Sequence, residues 1–306
     1  MTRTSAPAAT VDVVVVAYNS AGRLRACVEP LAGVPRITVT VVDNASPDDT
    51  ASAIAGLPVE LVEAPRNGGF AYGCNLGMGR GSGELVLLLN PDARLGADDL
   101  AVLVDALRAR PALGGVGPRL LGDDGELLWS QRRFPRLRST FASALFLQRL
   151  APHAAWSDET IRDREAYEQP GTPDWLSGAC LLLRRNAVEA VGGLDEGFFL
   201  YCEETDLFRR LAAEGWQAGY EPAATARHAG GASAPRHTTE RISARSRVRY
   251  ARKHHGPLVA LLEAIGVVVG GLAHAAVWPH RPVIARGHLG AARAALGAIA
   301  SPGGAA

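Results

Sequence analysis

The chain has few of the features that would tie it to thiol, polyanion or nicotinamide chemistry. It holds four cysteines in 306 residues, Cys27, Cys74, Cys180 and Cys202, with no C-x-x-C pair and no metal-ligand spacing. That pattern argues against a disulfide scaffold and suits a reducing compartment. Charge excess is also missing. Lys and Arg total 32 against 31 Asp and Glu, a formal +1, too little for a general nucleic-acid binder. No G-x-G-x-x-G follows the first apolar run, as a nicotinamide-dependent dehydrogenase would need. No G-x-x-x-x-G-K-[S/T] phosphate loop and no internal repeat occur. The opening MTRTSAPAAT reads as a short disordered tail. The run at 11–17 passes into Tyr18-Asn19-Ser20 without a small-residue cleavage pattern. It is expected to be a strand rather than a signal peptide, in a cytoplasmic protein.

Hydrophobic residues make up 47% and charged ones 21%, enough for a sizeable globular core. Four apolar runs, at 13–17, 37–42, 59–62 and 85–89, are each followed by turn residues. Helix-compatible stretches at 21–31 and 48–57 lie between them. Strands alternating with helices predict right-handed βαβ units and a parallel sheet. Continuous Val and Leu in the first and last runs predict strands covered on both faces. Leu100, Leu103, Val104 and Leu107 recur at a helical period over 97–110, with Asp98 and Asp99 in the first turn and Pro111 beyond the end. The polar segment 151–173 reads as a mobile loop with some local helix.

The last part of the chain is basic, then apolar. Arg241, Arg245, Arg247, Arg249, Arg252 and Lys253 precede the run 258–278, which only Glu263 and His274 interrupt. Its length would span a bilayer, but Glu263 and three glycines weaken a span. An interfacial or re-entrant helix on an anionic membrane and a soluble packing helix are the other readings. A solvated helical face is the plainer reading of the basic run. A second helix is expected at 283–300, and a frayed tail at 301–306.

Several blocks carry candidate chemistry. Leu85-Val-Leu-Leu-Leu-Asn90-Pro91-Asp92 delivers a carboxylate to a sheet rim, where ligands of open α/β folds sit. There Asp92 suits Mg²⁺ or Mn²⁺ holding a diphosphate, or else a loop or cap role. Ala17-Tyr18-Asn19-Ser20 and Asp43-Asn44-Ala45-Ser46 end two neighbouring strands. Asp43 is expected to meet a nucleobase or ribose, with Asn19 and Asn44 orienting it; helix capping by Ser20, Asn44 or Ser46 is the plainer role. Arg66-Asn67-Gly68-Gly69 opens a glycine-rich stretch that suits either phosphate approach or a helix packed tightly on the sheet. Glu203, Glu204 and Asp206 begin a helical stretch, and repulsion among them would raise one pKa toward that of a general base. His228 precedes Ala229-Gly230-Gly231 and is a candidate metal or phosphate ligand.

In this order the blocks closely resemble the family 2 glycosyltransferases of the GT-A fold, most strongly the bacterial rhamnosyltransferase-like members. The likeness runs from about 11 to 231 and rests on VVVVAYNS, VVDNASPDDT, RNGGFAYGCNLGM, LLLNPDA, WLSGACLLLRR, GGLDEGFFLYCEETDL and RHAGG. It implies an α/β protein with a Rossmann-like nucleotide-sugar-binding fold and a mainly parallel sheet over 1–235. A helical C-terminal extension over 236–306 would follow. It implies inverting sugar transfer with a divalent metal, in cell-envelope polysaccharide synthesis. The donor would be a dTDP or UDP sugar, such as dTDP-rhamnose, and the acceptor a glycan or polyprenyl-diphosphate-linked sugar at the inner membrane surface. Ala17, Asn19, Asp43, Asn44, Arg66, Asn67, Gly68, Asn75, Asn90 and Asp92 match the nucleotide-sugar region. Asn90 stands where the family's first motif acid is usual. Asp92 and His228 match metal ligands, and Trp175 with Ser177 and Gly178 matches the acceptor side. Glu204 matches the general base, usually Asp, with Glu203 and Asp206 as other candidates. A non-catalytic nucleotide-sugar-binding protein of the same fold is the alternative.

Overall fold

The first strand shows how the sheet is built. All seven residues of β1 (Val11–Ala17) are buried, and its side chains divide between two cores by strict alternation. Val11, Val13 and Val15 join Leu85, Leu87 and Leu89 in one core. Val14 and Val16 join Val86 and Leu88 in the other. A period of two with apolar residues at every position but Asp12 places a strand in the middle of a covered sheet.

The computed structural model describes residues 10–150, 154–230, 236–277 and 282–300. Apart from Thr10, the N-terminal tail lies outside the described residues, as do Gly231, Trp278 and the tail at 301–306. After β1 come α1 (Ala21–Val28), β2 (Ile37–Asp43), α2 (Thr50–Ala53), β3 (Glu60–Glu63), α3 (Phe70–Met78) and β4 (Leu85–Leu89). Next are β5 (Ala93–Leu95), α4 (Ala97–Ala109), β6 (Leu113–Leu121), β7 (Leu127–Leu128), β8 (Gln131–Arg132) and α5 (Leu137–Ala144). Then follow β9 (Trp175–Leu176), β10 (Cys180–Arg184), α6 (Arg185–Ala190), α7 (Glu203–Ala213) and β11 (Gln217–His228). Helices α8 (Arg236–His255), α9 (Pro257–Val277) and α10 (Pro282–Ala300) complete the described chain.

The main sheet runs β3-β2-β1-β4-β10-β6-β11-β5, with β7 beside β6. Strands β3, β2, β1 and β4 are mutually parallel. Strand β10 then enters antiparallel to β4 and β6, so the sheet is mixed beyond that point. Helix α2 is shorter than expected: the Asp49 side chain accepts from Ser52 N at its start, and Gly56 adopts φ +79° soon after its end.

One carboxylate interrupts the apolar β1. Asp12 is 7% exposed and accepts from Gly83 N at 2.6 Å and from Arg185 Nη2 at 2.6 Å. Arg185 also donates to Gly83 O and Met78 O. The pair ties the start of α6 to the entry edge of the sheet, opposite the ends of the parallel strands.

The segment 151–173 is anchored where it is described, rather than a mobile loop. Tyr167 is fully buried. Its hydroxyl accepts from Gln131 N at 2.7 Å, and its carbonyl accepts from Arg119. Gly171 pairs with Tyr220 on β11. A tyrosine packed against Trp129 and Tyr220 supplies the apolar anchor that the segment's polar composition conceals.

The basic run before α9 is neither a solvated face nor a cluster free to hold an anion. Arg247 binds Glu159 at 2.7 Å and Glu263 at 2.7 Å. Arg249 and Lys253 bind Asp195, and Arg252 donates to the carbonyls of Ala298 and Ile299 near the end of α10. Arg241, Arg245 and Lys253 of this run are exposed, and of these Lys253 is ion-paired. Glu263, the acid within the apolar run, is 4% exposed and also accepts from Thr140 Oγ1 at 2.7 Å. Helix α9 is long and apolar enough to cross a membrane by length and composition, yet it also packs against α5, α8 and α10. Small residues such as Ala244, Ala251, Ala260, Ala264 and Ala295 form the contacts among the last three helices.

Replacing Arg185 with Ala should strand the Asp12 carboxylate. We expect a loss of about 3–5 kcal/mol, as for other broken buried pairs, measured by urea denaturation. A loss below about 1 kcal/mol would show that water replaces the guanidinium.

Candidate active site

Three parallel strands end together and set the floor of the site. Ala17 pairs with Asp43, and Val15 with Leu89, so Ala17, Asp43 and the turn at 90–92 share one sheet edge. Asp43 and Asp92 are separated across β1 by two strand spacings, roughly 10 Å. Asp43 Oδ1 accepts from Ser46 N at 2.7 Å, and Ser46 Oγ accepts from Asn19 N at 2.8 Å. Asn19 and Ala45 adopt left-handed backbone (φ 50° and 53°), which curls both turns upward. The start of α1 is capped by Asp48, whose Oδ2 accepts from Ala21 N at 2.8 Å. Ser20 makes no side-chain cap.

The amides near this edge brace the loops. Asn44 is 3% exposed. Its amide donates to Asn67 Oδ1 and Gly69 O, and its Oδ1 accepts from Gly68 N. Asn75 donates to Leu194 O and Glu196 and accepts from Leu194 N. Asn44 and Asn75 thus brace neighbouring loops through both main-chain and side-chain partners. Asn67 serves the same loop, accepting from Gly69 N. Gly69 has φ +88°, and a Cβ there would collide with the Phe199 carbonyl, which accepts from Phe70 N at 2.8 Å. Gly73 and Gly77 lie against Val16 and Val14, so that part of the glycine-rich stretch is a tightly packed helix. Arg66 stays exposed, its guanidinium 4.6 Å from the Tyr72 ring centroid.

Pairing of β11 with β5 sets His228 opposite Ala93. His228 Nε2 then lies 3.1 Å from Asp92 Oδ1, with both side chains largely buried. Burial pushes the Asp92 carboxyl up, but the His228 hydrogen bond and charge more than offset it, with help from Arg23, and hold it low. Adjacent ligands of an octahedral ion at about 2.1 Å stand about 3.0 Å apart, so this oxygen and nitrogen fit one edge of a Mg²⁺ or Mn²⁺ site. Among the described residues no third His, Cys, Asp or Glu joins them. The chain thus offers two donors, and diphosphate and water oxygens would complete the shell. Asn90, between strand end and Asp92, has no side-chain hydrogen bond among the described residues.

The three acids of α7 have separate environments. Asp206 is fully buried and contacts Arg210 Nε at 2.8 Å, Lys253 Nζ at 2.7 Å and His254 Nε2 at 2.7 Å. Burial would raise its pKa, but the His254 and Lys253 hydrogen bonds and nearby charges bring it to about 2. It is an ion-pair anchor for α8, an environment unlike that of the other two acids. Glu203 is 4% exposed, and burial followed by repulsion from Glu204 pushes its carboxyl up strongly. Glu204 is also raised, by burial, against partial relief from backbone N–H groups and Arg132. Oε2 of each carboxylate has no hydrogen-bond partner.

Gly178 and Ala179 connect these parts. Gly178 N donates to Glu204 Oε1 at 3.3 Å, and Asn90 N donates to Ala179 O at 3.0 Å. Glu204 therefore stands two residues, through space, from the turn that carries Asp92. Ser177 N donates to Ser130 O, and Trp175 Nε1 to Arg133 O at 3.0 Å. Trp175 lies 5.9 Å from the guanidinium of Arg132. Arg132 is a site residue that sequence reading missed; it sits in a two-residue strand that no pattern marks. Tyr201 and Cys202 were also overlooked as a pair: both have positive φ, 68° and 66°, a strained lead-in that aims Glu203 and Glu204.

A family model described as "Glycosyl transferase family 2" matches residues 12–192. The chain is 33% identical over 237 residues to the N-acetylglucosaminyl-diphospho-decaprenol L-rhamnosyltransferase of Mycobacterium tuberculosis, covering 72% of this chain and 76% of that protein. Rhamnosyltransferase WbbL of Escherichia coli strain K12 is 29% identical over 151 residues, 47% of this chain and 52% of that one. Among solved structures, mannosyltransferase PcManGT from Pyrobaculum calidifontis, in complex with GDP-Man and Mn²⁺, aligns with a TM-score of 0.56 and 19% identity. That alignment covers 95% of this chain and 87% of that one, a likeness of fold.

Holding the Asp206 carboxyl from its usual 3.8 down to about 2 contributes about 2 kcal/mol to stability. The contribution is complete above the unfolded value and disappears as pH falls through the folded one. Asp206→Asn should therefore destabilise strongly at pH 7, and its deficit should narrow as pH drops toward 2. Urea melts across that range check this; a deficit independent of pH would contradict the assignment.

Proposed function

The chain belongs to glycosyl transferase family 2 and has the GT-A fold, and from that premise we propose that it is an inverting transferase. It would move a sugar from a nucleoside-diphosphate donor to a lipid-linked sugar in cell-envelope glycan synthesis. Rhamnose as the transferred sugar is favoured by the two rhamnosyltransferase relatives. The observation that carries the reading is the Glu204 carboxylate. It is raised in pKa, has an unpartnered oxygen, and is joined through Gly178 and Ala179 to Asn90, at the start of the turn that carries Asp92.

The donor's nucleoside would lie along Ala17, Asn19 and Asp43, with Arg66 at the rim. Asp92 and His228 would hold Mg²⁺ or Mn²⁺, which when bound neutralises the charge developing on the diphosphate. Glu204 takes the proton of the acceptor hydroxyl. That oxygen forms a bond to the anomeric carbon as the bond from that carbon to the diphosphate oxygen breaks. Attack from the face opposite the leaving group inverts the centre, and no sugar–enzyme bond is needed. Burial raises both glutamates, and the Arg132 charge partly relieves Glu204. Loop bracing by Asn44, Asn67 and Asn75 holds this geometry.

Work at the cytoplasmic face of the membrane suits this acceptor. Leu258, Leu261, Ile265 and Leu272 are exposed on α9 at spacings of one helical stripe, which supports peripheral attachment.

Glu204→Gln should lower kcat by about 10²–10⁴ and leave nucleotide-sugar affinity unchanged by calorimetry. In the wild type, transfer should fall as pH drops through the raised pKa of Glu204. Full turnover by the Gln variant would move the base elsewhere. Asp92→Ala should weaken UDP or dTDP binding in Mn²⁺ but not after chelation; equal losses in the two conditions would refute its role as a metal ligand.

A further inference from the structure

A second hollow lies beside the carboxylate pair. It is a cavity of about 600 Å³ between α5, α8, α9, α10 and the strip 157–162, within the ~300–1,000 Å³ usual for small-molecule sites. Arg132 and Tyr201 line it, and these residues border Glu204: Arg132 through its charge on that carboxyl, Tyr201 through the chain that leads into α7.

Its chemistry is that of a hydroxylated, uncharged guest. Ser143 and Ser243 contribute hydroxyls to the wall, as do Ser139, Thr140, Ser157 and Thr160, whose hydroxyls are also bonded to Glu159, Glu263, Ala154 O and Arg132. Gln148 Oε1 is a buried acceptor without a donor, and Arg132 Nε a buried donor without an acceptor. Buried polar atoms are normally paired, and a hydroxyl can satisfy either kind because it donates and accepts. The charges leave no excess for a diphosphate. Arg162 is bound to Asp158 at 2.7 Å and Arg247 to Glu159 at 2.7 Å, and Glu240 adds another carboxylate to the wall. Tyr201, 37% exposed, offers an aromatic face.

We propose that this cavity is the acceptor-sugar site: Arg132, Gln148 and Tyr201 hold a hydroxyl-rich glycosyl ring, while the acceptor's diphosphate stays outside. The proposal rests on the transferase reading for the fate of the bound sugar, but not for its binding.

The test is saturation-transfer NMR on the full chain with N-acetylglucosamine, alone and with inorganic pyrophosphate. Wild type should give a signal that pyrophosphate does not displace. Ser243→Trp, which fills the cavity, should abolish it, and Gln148→Ala, a milder change, should weaken it by at least about tenfold. Melting temperatures of the two variants confirm that the fold is kept, and Gln148→Ala decides the matter if Ser243→Trp does not fold. No wild-type signal, displacement by pyrophosphate, or a signal unchanged in the folded variants overturns the proposal. Sugar binding of the expected pattern without any transfer to a lipid-linked acceptor would refute the transferase reading and leave the cavity assignment standing.

Discussion

The unequal distribution of positive charge at the start of α7 is what the site depends on. Asp206 collects Arg210, Lys253 and His254, whereas Glu203 and Glu204 form no ion pair among the described residues and are raised by burial. One acid is thereby locked as an anchor, and two are left costly to ionise. A carboxylate that is uncomfortable when charged binds a proton at higher pH, which is what a general base needs. The same ion pairs dock α8 on α7, so the C-terminal helices and the start of α7 are positioned by a single cluster.

Glu204 faces outward from that cluster to Gly178, and the Gly178-Ala179 link carries its position to Asn90 and the Asp92 turn. From the other side, β11 brings His228 to Asp92. Glu204, Asp92 and His228 are thus linked where the antiparallel β10 joins the parallel block. An antiparallel strand inserted there starts at the edge where β4 ends, so its preceding loop must lie over the catalytic rim.

Much of this was legible beforehand because it rests on local patterns. The ends of β1, β2 and β4, the bounds of α4 and α9, and Asp43 and Asp92 at one edge follow from apolar runs that stop abruptly. Less legible were the uses of polar residues. Asn44 and Asn75 have the composition of ligand contacts but act as braces, since their neighbours happen to be unpaired loop amides and carbonyls. The arginines of α8 read as a basic face, yet Arg247, Arg249 and Lys253 are paired with Glu159, Glu263 and Asp195. Those partners lie up to 88 residues away in the chain, and no spacing rule connects them.

Hydrophobic periodicity and the ordered motif blocks were sufficient, on their own, to determine the α/β architecture, the parallel half of the sheet and the acids at its rim. They suffice because burial of a strand or helix face is a property of neighbours in sequence. The separate environments of Glu203, Glu204 and Asp206, two desolvated and one ion-paired, were decided only by the tertiary structure, as was the cavity lined by Arg132 and Tyr201. Proton affinity depends on desolvation and on charges within a few ångströms, and those are set by segments distant along the chain.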